Sequence, residues 1–421
     1  MHRKIVTIII ASLLLAGSAG CASKGLVREK YPEEFYRVPK LLPDGPQKNN
    51  PKFVVIGDNQ AGWRGKEKFV RKKNWATWKM AIIPFYQLYL IGNGIVGGVN
   101  WWRHAPDYGK KERLMVRDAI YAEAKRSKVD FILNVGDIAA HDGRRPSHWK
   151  MFLQENKEKH PLLEEVPYLP TAGNHDRTND EIYGLPNYRA IFDYPRFYVV
   201  DFPDAALFVT DSNFILDQEQ EVDDDTQDAL FEKWFVSDVT SGEPAWLERE
   251  LRARKNVFKI VAFHHSILSF GEHNSDWTNP SCGRNLGEKR KRLIELFQRE
   301  GVQLVFSGHD HFYQHIVIGS AGDKSGENEV IHLVVSSGGG APIREVSERV
   351  VEECHQRYNE QVVSCQLVNV AEVHHYCLAE VSTENLTVET FAVTGDPEQP
   401  IRLLEKFQLE RAQIAGREGS R

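Results

Sequence analysis

Two histidines in the C-terminal half of the chain have the side-chain type and spacing that can bind metal. His309 and His311 follow Gly308, which ends the apolar run at residues 305–306. Side chains at positions i and i+2 of an extended backbone point to the same side, so both imidazoles can face one site. A surface loop could carry the same pair, and its meaning therefore depends on the residues that end the other apolar runs.

Four more polar clusters follow apolar runs earlier in the chain. In open α/β sheets, ligands collect at the carboxyl ends of the strands. Carboxylate, amide and imidazole groups are the oxygen and nitrogen ligands of divalent metal ions. The pattern therefore predicts a two-metal site. The clusters are Asp58 with Gln60, Asp137, Asn174 with His175 and Asp176, and His264 with His265.

The elements that must position these clusters alternate between helix and strand in the first part of the chain. The amphipathic pattern at 111–127 predicts a helix that leads into a strand at 131–135. Later apolar runs predict mainly strands, and these lie at 315–318, 330–335, 377–381, 386–393 and 401–409. This order predicts an α/β fold of two packed sheets with helices outside.

Composition places the chain among ordinary globular proteins. It has 421 residues, of which 41% are hydrophobic and 27% charged, enough to bury a large core. The formal net charge of -6 gives no general attraction to nucleic acid. We therefore expect no nucleic-acid partner and a substrate that binds locally, through the metals.

The first 21 residues predict a targeting segment. A short basic head precedes the apolar stretch 5–16, and small residues lead to Cys21, which together resemble a bacterial lipoprotein signal. That resemblance implies acylation of Cys21 and a place in the cell envelope, on the periplasmic face of the outer membrane if the cell has two membranes. Ser18 departs from the usual branched apolar residue, which leaves ordinary cleavage and secretion open. Residues 22–50 are polar and rich in proline and predict a tether.

An apolar insertion is predicted at 63–105 within a body of residues 51–395. Residues 82–99 are nearly uncharged, and tryptophans and basic residues flank them, as a membrane interface selects. A hairpin lying on the membrane and a cover for an exposed face of the core are both open. Residues 396–421 predict a final strand and a polar tail.

Four cysteines remain once Cys21 is set aside: Cys282, Cys354, Cys365 and Cys377. An even number in an exported protein favours disulfides. The Cys354–Cys365 pairing is favoured because it closes a short loop, and buried thiols are the alternative.

The clusters together resemble the five ordered motifs of the calcineurin-like metallophosphoesterases. The resemblance implies a four-layer αββα sandwich of two mixed β-sheets with flanking helices. It also implies hydrolysis of a phosphomonoester, phosphodiester or pyrophosphate by a hydroxide that a dinuclear centre holds. By that likeness, one metal would be held by Asp58, Gln60 and His311, the other by Asn174, His264 and His309, with Asp137 as the bridge. His175 would donate to the phosphate or leaving group, and Asp176 would orient His175.

Two features qualify this resemblance. Gln60 stands where the family usually has histidine, which favours manganese or iron over zinc, as two divalent ions or an Fe(III)/divalent pair. His273 lies nine residues after His264, the spacing of a phosphate-contacting histidine in the purple acid phosphatase branch. Ala140 replaces that branch's tyrosine, so we expect no purple colour.

These residues predict an exported, membrane-anchored phosphoesterase. Its substrate would be amphiphilic if the segment at 80–102 touches lipid and soluble if that segment only covers the core. A metal-binding scaffold lipoprotein with little turnover is the competing hypothesis, and only Gln60 favours it. A DNA-processing nuclease is a third, which export and the negative charge disfavour.

Overall fold

The computed structural model describes residues 24–38, 40, 49–60, 109–139, 142–177, 184–216, 223–238, 243–319, 330–361 and 363–411. The predicted signal segment with Cys21, the whole predicted insertion at 63–105, and Ala140 lie outside these residues. Within them, no helix is both long and apolar enough to cross a membrane.

The first sheet has six strands in the order β13-β12-β11-β1-β2-β3. β1 to β3 run parallel, whereas β11 pairs antiparallel with β1 and is followed by β12 and β13 in antiparallel succession. The bounds are β1 Lys52–Ile56, β2 Phe131–Asn134, β3 Tyr168–Pro170, β11 His375–Val381, β12 Asn385–Val393 and β13 Ile401–Glu410.

The second sheet has seven strands in the order β10-β8-β9-β7-β6-β5-β4. β5, β6, β7 and β9 are parallel, and β4, β8 and β10 pair antiparallel with their neighbours. The bounds are β4 Tyr198–Asp201, β5 Ala205–Val209, β6 Phe258–His265, β7 Leu304–Gly308, β8 Tyr313–Ile318, β9 Ile331–Ser336 and β10 Cys365–Ala371.

The period of two along the buried strands divides the interior into two apolar cores. In β6, Ile260 and Ala262 belong to the core that contains β1 and β2, whereas Val261 and Phe263 belong to the core shared with the helix Leu286–Glu300. Alternate side chains of a strand face opposite sides of its sheet. The second sheet is therefore covered on both faces, which is why its strands read as continuous apolar runs.

Helices cover the outer faces of the sheets. The helix Leu286–Glu300 is followed by Gly301, whose φ of 71° is the left-handed conformation common after a helix C-terminus. Within the described residues the helices are α1 Val27–Lys30, α2 Glu33–Tyr36, α3 Lys110–Ser127, α4 Pro146–Lys157, α5 Leu162–Glu165, α6 Asn174–Arg177, α7 Gly184–Phe192, α8 Asp224–Trp234, α9 Trp246–Ala253, α10 Leu286–Glu300 and α11 Glu348–Gln361. The predicted αββα architecture of two mixed sheets with flanking helices is confirmed.

Two predictions about chain organisation change. Residues 24–38 do not behave as a free tether, because Val27, Tyr36 and Val38 are buried in the core and the Val27 backbone N–H donates to Asn187 Oδ1 at 2.8 Å. The final strand does not stand apart from the body, because β13 pairs with β12 along its length. Spaced apolar residues in a polar segment were the signal for the first change.

The predicted Cys354–Cys365 disulfide is wrong in this structure. The four cysteines are buried thiols with no disulfide among them. Burial raises the pKa of Cys354 and of Cys365 to about 11, so both thiols are held in the neutral form. The pairing was inferred from a short sequence separation, which does not fix the geometry that a disulfide needs.

Candidate metal centre

The predicted ligands lie at the carboxyl ends of strands from both sheets. Asp58 and Gln60 follow β1, Asp137 follows β2, and Asn174 follows β3. The second sheet contributes imidazoles: His264 is the second-last residue of β6, and two histidines follow β7. The first sheet therefore supplies oxygen ligands and the second supplies nitrogen ligands at one edge of the sandwich.

Several of these residues have a backbone conformation that residues other than glycine rarely adopt. The φ angle is 57° at Asp58, 58° at Asp137, 78° at His309 and 59° at His311. Left-handed residues of this kind cost free energy and persist where the surroundings impose them, which is common at functional sites.

One group of donor atoms gathers around Asp58. His311 Nε2 lies 3.4 Å from Asp58 Oδ1 and 3.1 Å from Gln60 Nε2, and Gln60 Nε2 is 3.3 Å from Asp137 Oδ2. Asp58 Oδ1 and Gln60 Oε1 are buried and have no hydrogen-bond partner within the described residues. A half-turn of the Gln60 amide exchanges its two ends and places the oxygen between Asp137 and His311.

A second group gathers around His264. Its Nε2 lies 3.2 Å from Asp137 Oδ2, 3.1 Å from Asn174 Oδ1 and 3.2 Å from His309 Nδ1. The other ring nitrogen of His264 is 2.8 Å from the Val135 carbonyl oxygen. In the neutral imidazole, that backbone bond places the proton on Nδ1 and leaves Nε2 with a lone pair, as in metal-binding histidines generally.

These two groups fit two metal ions that share Asp137. A cation with six ligands at about 2.1 Å has neighbouring donor atoms about 3 Å apart, which is the spacing found here. Ligand atoms of Asp58, Asp137 and His264 all lie within 4.8 Å of one another. The buried Asp58 Oδ1 that lacks a partner is an atom that a cation would satisfy, and the Gln60 oxygen is another once its amide is turned.

The charges of the site are strongly coupled. Burial raises the pKa of Asp58 to about 7 against the opposing charge of His264. Burial alone would raise the pKa of Asp137, but His264 and His175 hold it well below its usual range. Burial would lower the pKa of His264, but Asp137 raises it to about 9. The bridge is thus an anion that attracts whatever cation stands between the two groups.

The imidazoles after β7 are held neutral. Burial keeps the pKa of His309 well below its usual range, and the neighbouring His273 and His265 lower it further. Burial and the charge of Arg344 do the same for the pKa of His311. A neutral imidazole is the form that binds metal.

Two glycines allow the strand ends to approach so closely. A Cβ on Gly173 would stand 2.1 Å from Asp137 Oδ1, and one on Gly308 would stand 2.6 Å from Asp58 Oδ2. Any side chain at either position would push a carboxylate out of the site.

His175 lies beside the two ligand groups, and Asp176 has partners other than the one predicted. The His175 ring is at the rim, with Nε2 3.9 Å from Asp137 Oδ2 and one third of the side chain exposed. The prediction that Asp176 orients His175 is wrong. Its carboxylate is buried and accepts the backbone N–H groups of Ile138, Ala139 and Gly173 at 2.7–2.9 Å. A buried carboxylate is stabilised by such backbone donors, and here it joins the loop after β2 to the loop after β3.

His273 lies beside the second group of ligands. Its ring centroid is 3.7 Å from that of His309. Its Nδ1 lies 2.8 Å from Asp276 Oδ2, which in turn is 3.1 Å from His309 Nε2. His265 Nδ1 is 2.8 Å from Ser212 Oγ, and ligand atoms of His265, His264 and His309 lie within 4.8 Å of one another.

Two residues of the site were missed from the sequence. Asp276 lies three positions after His273 in a 3₁₀ turn, and that spacing was an available signal. Arg344 follows the run of glycines at 338–340, beyond the end of β9. Its backbone N–H donates to the His311 carbonyl oxygen at 3.2 Å, and its guanidinium contacts His273.

Comparison with known proteins agrees with this geometry. The model of the calcineurin-like phosphoesterase family matches residues 51–313. The chain belongs to this family. By family it is a phosphoester hydrolase, and the matched residues of this calcineurin-like phosphoesterase contain every predicted ligand.

Characterised proteins similar to this family member are acid phosphatases. It is 26% identical over 255 residues to pig (Sus scrofa) tartrate-resistant acid phosphatase type 5, covering 56% of this chain and 67% of the other. It is 28% identical over 222 residues to Arabidopsis thaliana purple acid phosphatase 17, covering 50% of this chain and 59% of the other. The chain therefore spans between about half and two thirds of the relatives' length.

A solved structure gives the same fold. The purple acid phosphatase PPD1 from yellow lupin (Lupinus luteus) seeds superposes with a TM-score of 0.54 at 14% identity. The match covers 88% of this chain and 56% of that one. At this identity the likeness supports the architecture of the phosphoesterase domain.

Proposed function

We propose that this protein is a two-metal phosphoesterase that hydrolyses a phosphomonoester or phosphodiester. The observation that carries the proposal is the convergence of oxygen ligands from the first sheet and imidazoles from the second on two adjoining positions. One position would be held by Asp58, Gln60 and His311. The other would be held by Asn174, His264 and His309, and Asp137 would bridge them.

Bound at these positions, two cations supply charge neutralisation for a phosphate and a nucleophile at neutral pH. The chain's own part is to fix their spacing and to keep the pocket anionic enough to hold them. His175 has a partly exposed imidazole at the rim, beside the bridge, where it can donate a proton to the leaving oxygen.

The metals we propose are manganese or iron, with zinc as the alternative. Gln60 offers an amide oxygen where imidazole would favour zinc. Turnover on a panel of phosphoesters with each metal, run beside metal analysis of the same samples, identifies the pair. Highest turnover with zinc would contradict the assignment of manganese or iron.

Replacing His175 tests whether the site hydrolyses a substrate or only binds metal. His175→Ala should lower kcat by about 10²- to 10⁴-fold while both metals remain bound. His160→Ala is a matched control, because His160 is similarly exposed at 31% and pairs with Asp118 far from the centre. Equally negligible turnover of wild type and His175→Ala, with metals bound in both, would favour the scaffold hypothesis, whereas equally high turnover would exclude His175 as the proton donor.

The sequence alone supports a location in the cell envelope through acylated Cys21, and we extend the proposal to it. Incorporation of a labelled fatty acid into wild type but not into Cys21→Ala checks the anchor. Release of the unaltered protein into the medium without label would instead indicate ordinary secretion.

The proposed substrate is amphiphilic if residues 80–102 contact lipid. Deleting residues 80–99 should then reduce hydrolysis of a micellar phosphoester while sparing a soluble one. Equal loss on both substrates would mean that the segment only covers the core.

A further inference from the structure

Arg344 is placed over the candidate metal centre by backbone contacts. The loop that carries it is bonded to both parts of the site: the Ala341 N–H donates to the Asp58 carbonyl oxygen at 3.0 Å, and the Arg344 N–H donates to the His311 carbonyl oxygen at 3.2 Å. His311 Nδ1 also lies 3.1 Å from the Pro342 carbonyl oxygen. The arginine is therefore fixed relative to two of the proposed ligands.

The guanidinium of Arg344 is next to His273 rather than next to an acid. Its Nη1 contacts His273 Nε2, and within the described residues it forms no ion pair with a carboxylate. Its charge reaches the centre, since it contributes to the lowered pKa of His311 and opposes the raised pKa of Asp58. A half-buried guanidinium keeps several N–H donors that this single contact does not use.

The partners of His273 define its chemical state. Asp276 accepts at Nδ1, at 2.8 Å, so Nδ1 carries the proton. A guanidinium can only donate, so Nε2 must present its lone pair to Arg344. Both ring nitrogens are then engaged, and His273 has no N–H left for a phosphate.

We propose that Arg344 is a phosphate-binding residue of this enzyme and that His273 is the positioning residue that holds it there. The inference rests on the proposed phosphoesterase function and reassigns the phosphate contact that spacing suggested for His273. The planar fork of an arginine matches two oxygens of a phosphate group. His273, held by Asp276, contacts the Arg344 guanidinium and keeps it next to His309.

Binding of inorganic phosphate to the metal-loaded protein, measured by calorimetry, tests this assignment beside KM and kcat. Arg344→Ala should weaken phosphate binding and raise KM by about 10- to 100-fold, the effect of losing a charged hydrogen bond, with unchanged metal content. Arg344→Lys should recover part of this, because it restores the charge without the fork. Arg349→Ala is the control: Arg349 is 85% exposed and pairs with Glu353.

A double-mutant comparison separates positioning from direct contact. His273→Ala should weaken phosphate binding in the wild-type background but add little in the Arg344→Ala background. His273→Gln should retain part of the affinity, because its amide oxygen can still accept from Arg344. A full additional loss from His273→Ala in the Arg344→Ala background would mean that His273 contacts the phosphate itself and would overturn the assignment.

The remaining outcomes distinguish this inference from the proposed function. A wild-type enzyme that hydrolyses phosphoesters, together with an Arg344→Ala variant that binds phosphate equally well, would overturn the inference alone. A metal-loaded wild type that neither binds phosphate nor hydrolyses a phosphoester would overturn the proposed function, and the inference with it.

Discussion

The two sheets contribute to the candidate centre in different ways. The oxygen ligands after β1 to β3 are held by backbone groups: Asp58 Oδ2 accepts the His309 N–H at 2.8 Å, and Asp137 Oδ1 accepts the His175 N–H at 2.9 Å. On the imidazole side, His264 and His311 each face a backbone carbonyl oxygen, whereas His309 depends on side chains, in the chain through Asp276 to His273. Changes to the carboxylates that accept backbone N–H groups should therefore affect folding as well as any metal binding, and changes to the side chains around His309 should affect mainly metal and phosphate binding.

Asp137→Asn should have the largest effect, because this carboxylate belongs to both proposed ion positions. Loss of the bridging charge should lower kcat by about 1,000-fold or more and reduce the metal content. Turnover and metal analysis of the same preparation measure both effects. Full metal content with near-normal turnover would contradict the bridging role.

Asp276→Asn tests the imidazole side. Removing the carboxylate that orients His309 should weaken metal affinity by about 10- to 100-fold, as measured by competition with a chelator. The melting temperature of the metal-free protein should hardly change. An equal loss of metal-free stability would show that Asp276 supports the fold rather than the ligand.

Asp176→Asn tests the oxygen side. The new amide nitrogen would face the Gly173 N–H, leaving a buried donor unsatisfied, so the free energy of unfolding should fall by about 1–3 kcal/mol. Denaturant unfolding of the metal-free protein measures this loss. Asp193→Asn is the control, since Asp193 is exposed at 62%. If Asp176→Asn were as stable as wild type, the backbone-bound carboxylates of the first sheet would not support the fold more than the imidazoles of the second sheet do.

Lowering the pH should destabilise the fold through His375, a buried histidine outside the candidate metal centre. Burial lowers the pKa of His375 from 6.5 to about 4, so between these values the folded state binds fewer protons than the unfolded state. Stability should fall by about 1.4 kcal/mol per pH unit as the pH drops from 6.5 towards 4, with no further loss from this group below. Unfolding of metal-free wild type and His375→Leu across this range should show a shallower dependence in the variant. If the free energy of unfolding depended on pH equally in both proteins, His375 would be excluded as a cause of the acid destabilisation.

The strand ends were predictable because burial and chemistry coincide there. An apolar run that stops at Asp58, Asp137 or His264 marks both a strand terminus and a candidate ligand, and the order of the runs indicated two sheets. Asp276 and Arg344 were not found, because neither ends an apolar run. Asp176 was found but given the wrong partner, since a sequence does not show which donors a buried carboxylate will meet.

The sequence by itself determined the layers of the fold and the kinds of ligand, because periodicity and side-chain chemistry are local properties. Only the tertiary structure decided which groups pair: that Asp176 binds backbone N–H groups, that the cysteines stay thiols, and that His273 meets Arg344. The partners of Asp176 after β2 and the partner of His273 lie tens of positions away in the chain. These pairings depend on how the loops of the two packed sheets converge, and a local sequence pattern does not contain that information.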